Sequence, residues 1–483
     1  MNAPDSSALF GADEMITNLT WDELPVGATA QLVRSITTQD IQAFALVSGD
    51  ANPAHVDEEY ANASRFHGTV AHGMWAGALI SSLLGMRFPG PGTIYEGQVL
   101  HFHLPVRAGD TLTVNVKVTA RDESRHRLTI DCVVTNQTGA TVVSGEALVR
   151  APTEKIRRHR ASLPELHLFD PAGRLAAWVD QWGDEIRAAL GGEAPPACGV
   201  VHPCDATSLA GALAAGRQGL ITPWLIGPEP RIRALAAELG LSLEGVHIEA
   251  VEHSHAAAQR AVELAAAGQL ELLMKGSLHT DELMHAVIAT PALRTKQRMS
   301  HVFRFDIPTY HKPLLITDAA INITPKLEEK ADIVRNAVAL AQVLGVARPK
   351  VAILAAVETV TPVMVSTLDA AALCKMADRG QISGAILDGP LAFDNAISAE
   401  AARIKGFSSP VAGDADIFLV PDLEAGNMVA KQLEYLAGAA GCGIVLGARV
   451  PIALTSRSDT EASRLASAAL AARLAVAWRS QRP

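Results

Sequence analysis

Ser48-Gly49-Asp50-Ala51-Asn52-Pro53-Ala54-His55-Val56-Asp57 is the stretch that decides how the first third of this chain is read. It places a carboxylate, Asp50, and an imidazole, His55, on either side of an Asn-Pro corner. Pro53 fixes its own φ and carries no N–H, and Asn52 before it is driven toward extended backbone. Such a corner can hold both side chains over one point in space, as acid–base work on a single water requires. On these residues alone an ordinary Asx turn remains open. Shortly afterwards His72-Gly73-Met74 opens an apolar segment through Leu84 that reads as a buried helix. A glycine at a helix start presents free N–H groups and a positive dipole end, suited to a developing oxyanion.

Working outward, Leu100, Phe102, Leu104 and Val106 alternate with polar residues or proline, a half-buried strand pattern. Leu112 to Val118 and Leu128 to Val134 repeat it, and Asn136-Gln137-Thr138-Gly139 supplies a turn toward Val142. One apolar helix followed by a run of antiparallel strands suggests a sheet wrapped around that helix, a hotdog fold. Together these pieces resemble the MaoC-like (R)-specific enoyl-CoA hydratases. Gly92-Thr93-Ile94-Tyr95-Glu96-Gly97-Gln98 also looks like the loop before that family's central strand. The resemblance implies that Asp50 and His55 activate the water. It makes Gly73 the backbone donor to the thioester carbonyl and Ser81 the helix serine, with Asn52 among the substrate-binding residues.

Composition bounds the rest. A chain of 483 residues is too long for one ordinary core, and 49% hydrophobic with 19% charged residues is globular composition. Net charge −10 argues against a general nucleic-acid binder. The acidic N-terminus lacks signal-peptide character and no apolar run approaches a membrane span, so a cytoplasmic protein is expected. Five cysteines without a C-x-x-C pair argue against a disulfide framework. The pairs His101/His103 and His253/His255 lack a third ligand, and Cys198, His202 and Cys204 lack zinc spacing, so no metal is expected. Gly441-Cys442-Gly443 misses the dinucleotide glycine spacing.

After Arg150 the alternation stops, and Lys155, Arg157, Arg158, His159 and Arg160 gather between prolines, reading as a solvated linker or a basic edge. Leu175, Trp178, Val179, Trp182, Ile186 and Leu190 then mark one helical face that must be buried against something. From about Ala197, short apolar runs alternate with Ala-rich helical stretches, the pattern of parallel sheets covered by helices. The runs are Gly199–His202, Leu220–Ile226, Leu270–Met274, Leu314–Ile316, Val351–Ala355, Ala385–Leu387, Ile417–Val420 and Ile444–Leu446.

A second resemblance covers this part. Met274-Lys275-Gly276, Arg298-Met299-Ser300-His301, Thr317-Asp318 to Asn322, Asp388-Gly389-Pro390 to Ala396, Val411 to Ile417, Gly426-Asn427-Met428 and Leu454 to Asp459 look like a phosphate acetyl/butyryltransferase, nearer the butyryl branch. The resemblance implies direct attack of phosphate on an acyl-CoA thioester in a ternary complex. Arginine suits a tetrahedral dianion through its paired donors, which points to Arg457 and Arg298, with Ser300 adding a hydroxyl. Ser456 is placed to stabilise the thiolate or oxyanion, and Lys275, beside Gly276, to hold phosphate as a point charge. The acetyl branch's carboxylate seven residues after the serine falls on Ser463 here. Asp459 takes that role instead, or caps the following helix.

The sequence therefore predicts a multidomain chain. An N-terminal α+β hotdog hydratase spans 1–150, a linker 151–166, and a C-terminal α/β phosphotransacylase-like fold with mainly parallel sheets 167–483. Its subdomains are about 167–312 plus 445–483, and 313–444. The expected function is bifunctional: reversible hydration of short trans-2-enoyl-CoA to (R)-3-hydroxyacyl-CoA, and acyl exchange between CoA and phosphate. CoA thioesters and phosphate are substrates, no cofactor is bound, and a homo-oligomer is expected. Open alternatives are a non-catalytic acyl-CoA sensor in the second half, and an NAD-dependent hydroxyacid dehydrogenase.

Overall fold

The computed structural model describes residues 15–161, 168–406, 408–456 and 459–479. The chain divides into two compact units, residues 1–168 and 169–483.

In the first unit the strands are β1 (Met15–Thr17), β2 (Thr29–Ser35), β3 (Ile94–Phe102), β4 (Thr111–Asp122), β5 (Arg127–Thr135), β6 (Thr141–Arg150) and β7 (Arg157–His159). Five of them form an antiparallel sheet in the order β2-β4-β5-β6-β3. The helices are α1 (Thr38–Ser48), α2 (Pro53–Val56), α3 (Glu58–Ala63) and α4 (Gly73–Met86). Along β4 and β5 the residues Leu112, Val114, Val116, Val118, Leu128, Ile130, Cys132 and Val134 are buried, the face that the alternation predicts. They pack with Trp75, Ala76, Leu79, Ile80, Leu83 and Leu84 of α4 in one core, so the sheet wraps the helix as a hotdog fold. The alternation at Leu104 and Val106 runs past the strand, since β3 ends at Phe102. Pro105 has no N–H to continue a ladder.

The expected solvated linker is partly structured. Arg157–His159 is strand β7, paired antiparallel with β1. The preceding segment is also fastened: Trp21 N–H donates to Pro152 O at 2.8 Å, and Asn18 bridges Glu154 O and Ile156 N–H. The basic run thus belongs to the first unit, because its backbone bonds are made there.

The second unit opens with α5 (Pro171–Leu190), whose predicted apolar face is buried in one core with the last helix, Glu461–Arg479. Asp170 caps α5 by accepting from Ala172 and Gly173 N–H, and Gly191 closes it at φ 57°. The strands are β8 (Ala197–Val201), β9 (Thr222–Gly227), β10 (His247–Ala250), β11 (Leu272–Lys275), β12 (Ser300–Asp306) and β13 (Leu314–Thr317). They continue with β14 (Lys350–Leu354), β15 (Ile386–Leu391), β16 (Ile417–Leu419), β17 (Ala440–Leu446) and β18 (Ile452–Ala453). One sheet holds all eleven, ordered β10-β9-β8-β11-β18-β17-β12-β13-β16-β14-β15. It comprises two parallel half-sheets joined through antiparallel β17 and β12. Because three antiparallel steps separate β18 from β13, the two half-sheets run in opposite directions. The sequence reading finds the parallel runs but not β10, β12 and β18, which are short or interrupted by polar residues. No helix among the described residues is long and apolar enough to cross a membrane.

Candidate active sites

In the first unit the site is built by three chain corners. Gly49 ends α1 in the left-handed region at φ 73°. Asp50 Oδ1 then accepts from Asn52 N–H at 3.3 Å, and Asn52 Oδ1 from Ala54 N–H at 3.0 Å, so Asn52 caps α2 with Pro53 at its first position. The Asx turn and the site are therefore one structure: the local bonds that fold the corner also aim its side chains.

His55 Nδ1 lies 2.7 Å from Val70 O. A carbonyl only accepts, so Nδ1 carries the proton and Nε2 keeps its lone pair as a base. His72 Nε2 lies 2.9 Å from Asp50 O and by the same rule donates to it. The His72 ring, 4% exposed, stacks on His55 with centroids 3.8 Å apart. Its Nδ1 is buried with no hydrogen-bond partner. Ligand atoms of Asp50, His55 and His72 all lie within 4.8 Å of one another. A cation there would meet the Asp50 carboxylate and a ring nitrogen of His55, while His72 Nε2 donates to the Asp50 carbonyl.

Asn52, His55, His72 and Gly73 line a cavity of about 520 Å³ whose remaining wall is largely apolar, including Val70, Phe102, Val106 and Val142. Gly73 is the first residue of α4, where helical N–H groups have no partner within the helix. A Cβ there would stand 3.1 Å from the Phe102 ring, so glycine is what the close approach allows. Asp50 is half exposed beside the cavity. Ser81 is exposed on α4 and is not part of the cavity wall. Sequence reading treats His72 as a helix-start marker and passes over its contact with Asp50. Its place next to Gly73 was the available signal.

In the second unit the expected residues fall into two groups. The first surrounds the segment after β18. Lys275, at the end of β11, is 3% exposed and its Nζ donates to Thr455 O at 3.2 Å. The ammonium thus binds the backbone of the loop that carries Ser456. Gly276 is buried, where a side chain would collide with the carbonyls of Val201 and His202. Ser456 is exposed, and its N–H donates to Asp459 Oδ2 at 2.8 Å. Burial raises the Asp459 carboxyl above its ordinary range. Asp459 does not cap the next helix, since Thr460 Oγ1 accepts from Ser463 N–H at 3.2 Å. Ser463 turns its hydroxyl to Gly441 O. Arg457 lies outside the described residues.

The second group gathers where β12 begins and β13 ends. Arg298 donates through Nε to Asn322 Oδ1 at 2.9 Å and pairs with Glu329 at 3.2 Å, its side chain otherwise half exposed. Asn322 in turn donates to Asp318 Oδ2 at 2.6 Å and to Met299 O at 2.8 Å. Asp318 also accepts from the N–H groups of Ala320, Ile321 and Asn322, while burial pushes its pKa up. Ser300 is fully buried and its hydroxyl accepts from Asn336 Nδ2 at 2.8 Å. That bond fastens β12 to the helix Leu327–Val343 and uses the Ser300 oxygen as acceptor. His301 is buried beside this group, and its carbonyl accepts from Thr317 Oγ1 at 2.8 Å.

Of the histidines weighed as metal pairs, three have partners among the described residues. His103 bonds Ser144 Oγ, His253 Nδ1 caps a helix by accepting from Ala256 N–H, and His255 faces Glu282 at 3.4 Å.

The chain thus has two parts: a hotdog unit with a paired Asp and His, and an α/β unit with a mixed sheet and an exposed Ser456. A family model described as MaoC like domain matches residues 26–141, and one described as Phosphate acetyl/butaryl transferase matches residues 249–472. The chain is 61% identical to a phosphate acetyltransferase of Rhizobium meliloti over 290 residues, 60% of this chain and 92% of that one. A branched-chain phosphotransacylase from Enterococcus faecalis V583 is 31% identical with TM-score 0.52, over 58% of this chain and 99% of that one. R-Hydratase PhaJ1 from Pseudomonas aeruginosa is 43% identical over 32% of this chain and 100% of that one, at TM-score 0.31. The chain belongs to the phosphate acetyl/butyryltransferase family and carries a MaoC-like domain at its N-terminal end. The motifs lean toward the butyryl branch, whereas the 61% identical relative bears the acetyl name.

Proposed function

We propose that this chain is a bifunctional enzyme of short acyl-CoA thioesters. Its first unit hydrates trans-2-enoyl-CoA reversibly to (R)-3-hydroxyacyl-CoA. Its second exchanges CoA for phosphate on a short acyl group, acetyl foremost by the name of its Rhizobium relative.

The observation that carries the first half is the protonation pattern of the pair. The Val70 carbonyl fixes the Nδ1–H form of His55, leaving Nε2 as the base, and the His55 ring lies within 4.8 Å of the Asp50 carboxylate. A water held between them loses its proton to this pair and its hydroxyl adds to C3 of the enoyl group. C2 takes a proton, and the charge that develops on the thioester oxygen meets the Gly73 N–H at the start of α4. The cavity's apolar wall suits a short acyl chain.

For the second half, the exposed Ser456 side chain and the family membership support the reading. A phosphate oxygen attacks the thioester carbonyl, the tetrahedral oxyanion collapses, and CoA thiolate leaves with an acyl phosphate as the other product. Arg298 and Arg457 would bind phosphate, and Ser456 would stabilise the oxyanion or the thiolate.

One sample and two assays test this: crotonyl-CoA hydration, and phosphate-dependent loss of thioester from acetyl-, propionyl- and butyryl-CoA. Asp50→Asn and His55→Ala should each lower hydration by about 100- to 10,000-fold and leave phosphorolysis intact. Near-normal hydration in either variant sinks the assignment of the pair. Absence of phosphorolysis in the wild-type chain sinks the second half.

A further inference from the structure

Two consecutive carbonyls of the segment carrying Ser456 are each bonded by a basic side chain from the core. Lys275 Nζ donates to Thr455 O at 3.2 Å, and Arg464 Nη2 donates to Ser456 O at 2.7 Å. Arg464 goes further: Nη1 donates to Thr455 Oγ1 at 3.0 Å and Nε to Asp459 O at 3.4 Å.

Arg464 sits on the first turns of the last helix, among Ala466, Ala468, Ala469 and Leu470 in the same core. It is 2% exposed. Burying a guanidinium is unfavourable unless its donors are met, and an apolar side chain of like volume commonly serves the core as well or better. Here its donors reach atoms at both ends of one short segment, Thr455–Ser456 and Asp459. The carbonyls of Thr455, Ser456 and Asp459 are thereby turned toward the core, while Ser456 itself is exposed. A residue that only filled space would have no need of a fork spanning both ends of a loop.

We propose that Arg464 is a positioning residue for acyl transfer to phosphate, holding Thr455, Ser456 and Asp459 so that Ser456 meets the reacting thioester. It does so from beneath the loop and touches no substrate. The inference rests on the reading of Ser456 given above. Sequence motifs pass over Arg464 because it stands inside an Ala-rich helix, beyond the last motif block.

The test uses the full-length chain with acetyl-CoA and inorganic phosphate. Arg464→Met keeps much of the volume and removes the donors. It should lower kcat for phosphorolysis on the order of 100-fold, as a small misplacement of a reacting group does. Crotonyl-CoA hydration, made by the other unit, should be unchanged. Arg464→Lys should recover part of the loss, and dilute guanidinium should raise kcat of Arg464→Ala without raising its melting temperature. A folded Arg464→Met with wild-type kcat and phosphate KM overturns the proposal. So does a loss that follows a lowered melting temperature and responds to neither lysine nor guanidinium, since that is a structural residue. A wild-type chain without phosphorolysis would instead remove the reading on which the proposal stands, and would be seen before any variant is compared.

Discussion

Acid should loosen the second unit through one histidine. His301 is 1% exposed and burial pulls its pKa from the ordinary 6.5 down to about 3. The folded chain therefore refuses a proton that the unfolded chain accepts between those values. The stability this neutral ring contributes is fully present above pH 6.5 and is lost as pH falls toward 3. Within the window each pH unit costs about 1.4 kcal/mol, so about 2 kcal/mol is gone by about pH 5. Urea unfolding at about pH 7.5 and about pH 5, followed by tryptophan fluorescence, reads this loss. Four of the six tryptophans, Trp178, Trp182, Trp224 and Trp478, lie in this unit. Carboxylates titrate in the same range, so the decisive quantity is the difference between wild type and His301→Gln, which keeps a donor and cannot titrate. Wild type should lose about 2 kcal/mol more than the variant on acidification. Equal losses in the two proteins would refute the claim that a buried neutral His301 sets this acid sensitivity.

Two further outcomes follow from the geometry. Gly73→Ala puts a methyl group 3.1 Å from the Phe102 ring and should lower crotonyl-CoA hydration, with Phe102→Leu in the same chain restoring part of it. A Gly73→Ala protein with unchanged kcat and KM would remove the close approach from the site. Separate fragments 1–161 and 169–483 should each fold and keep one activity, because β7 and the bonds of residues 152–156 remain with the first unit. Cutting instead at Arg150 should yield a less stable N-terminal fragment, read as a lower melting temperature; equal melting temperatures would make that segment dispensable.

Short-range rules made much of the molecule legible from sequence. The Asp50–His55 corner is closed by bonds between residues two apart, which Asx and proline chemistry dictate without any distant partner. The strands β4 and β5 follow from alternation, and α4 and α5 from their apolar faces, because one-sided burial imposes those periods directly. Even the basic character of 155–160 was plain, although its pairing with β1 was not. What tertiary structure alone decided is which polar groups remain available. Lys275 and Ser300 are both buried, and each bonds a partner far away in the chain: Thr455, 180 residues from Lys275, and Asn336. His72 gains its role by stacking on His55, and Arg464 by reaching back to a loop that motif spacing had assigned only to Ser456 and its neighbours. The antiparallel join of β12 and β17 likewise belongs to no local pattern. Residue type and spacing fix what a side chain can do. Burial and long-range hydrogen bonds, set by segments far apart in the chain, decide whether it is free to do it.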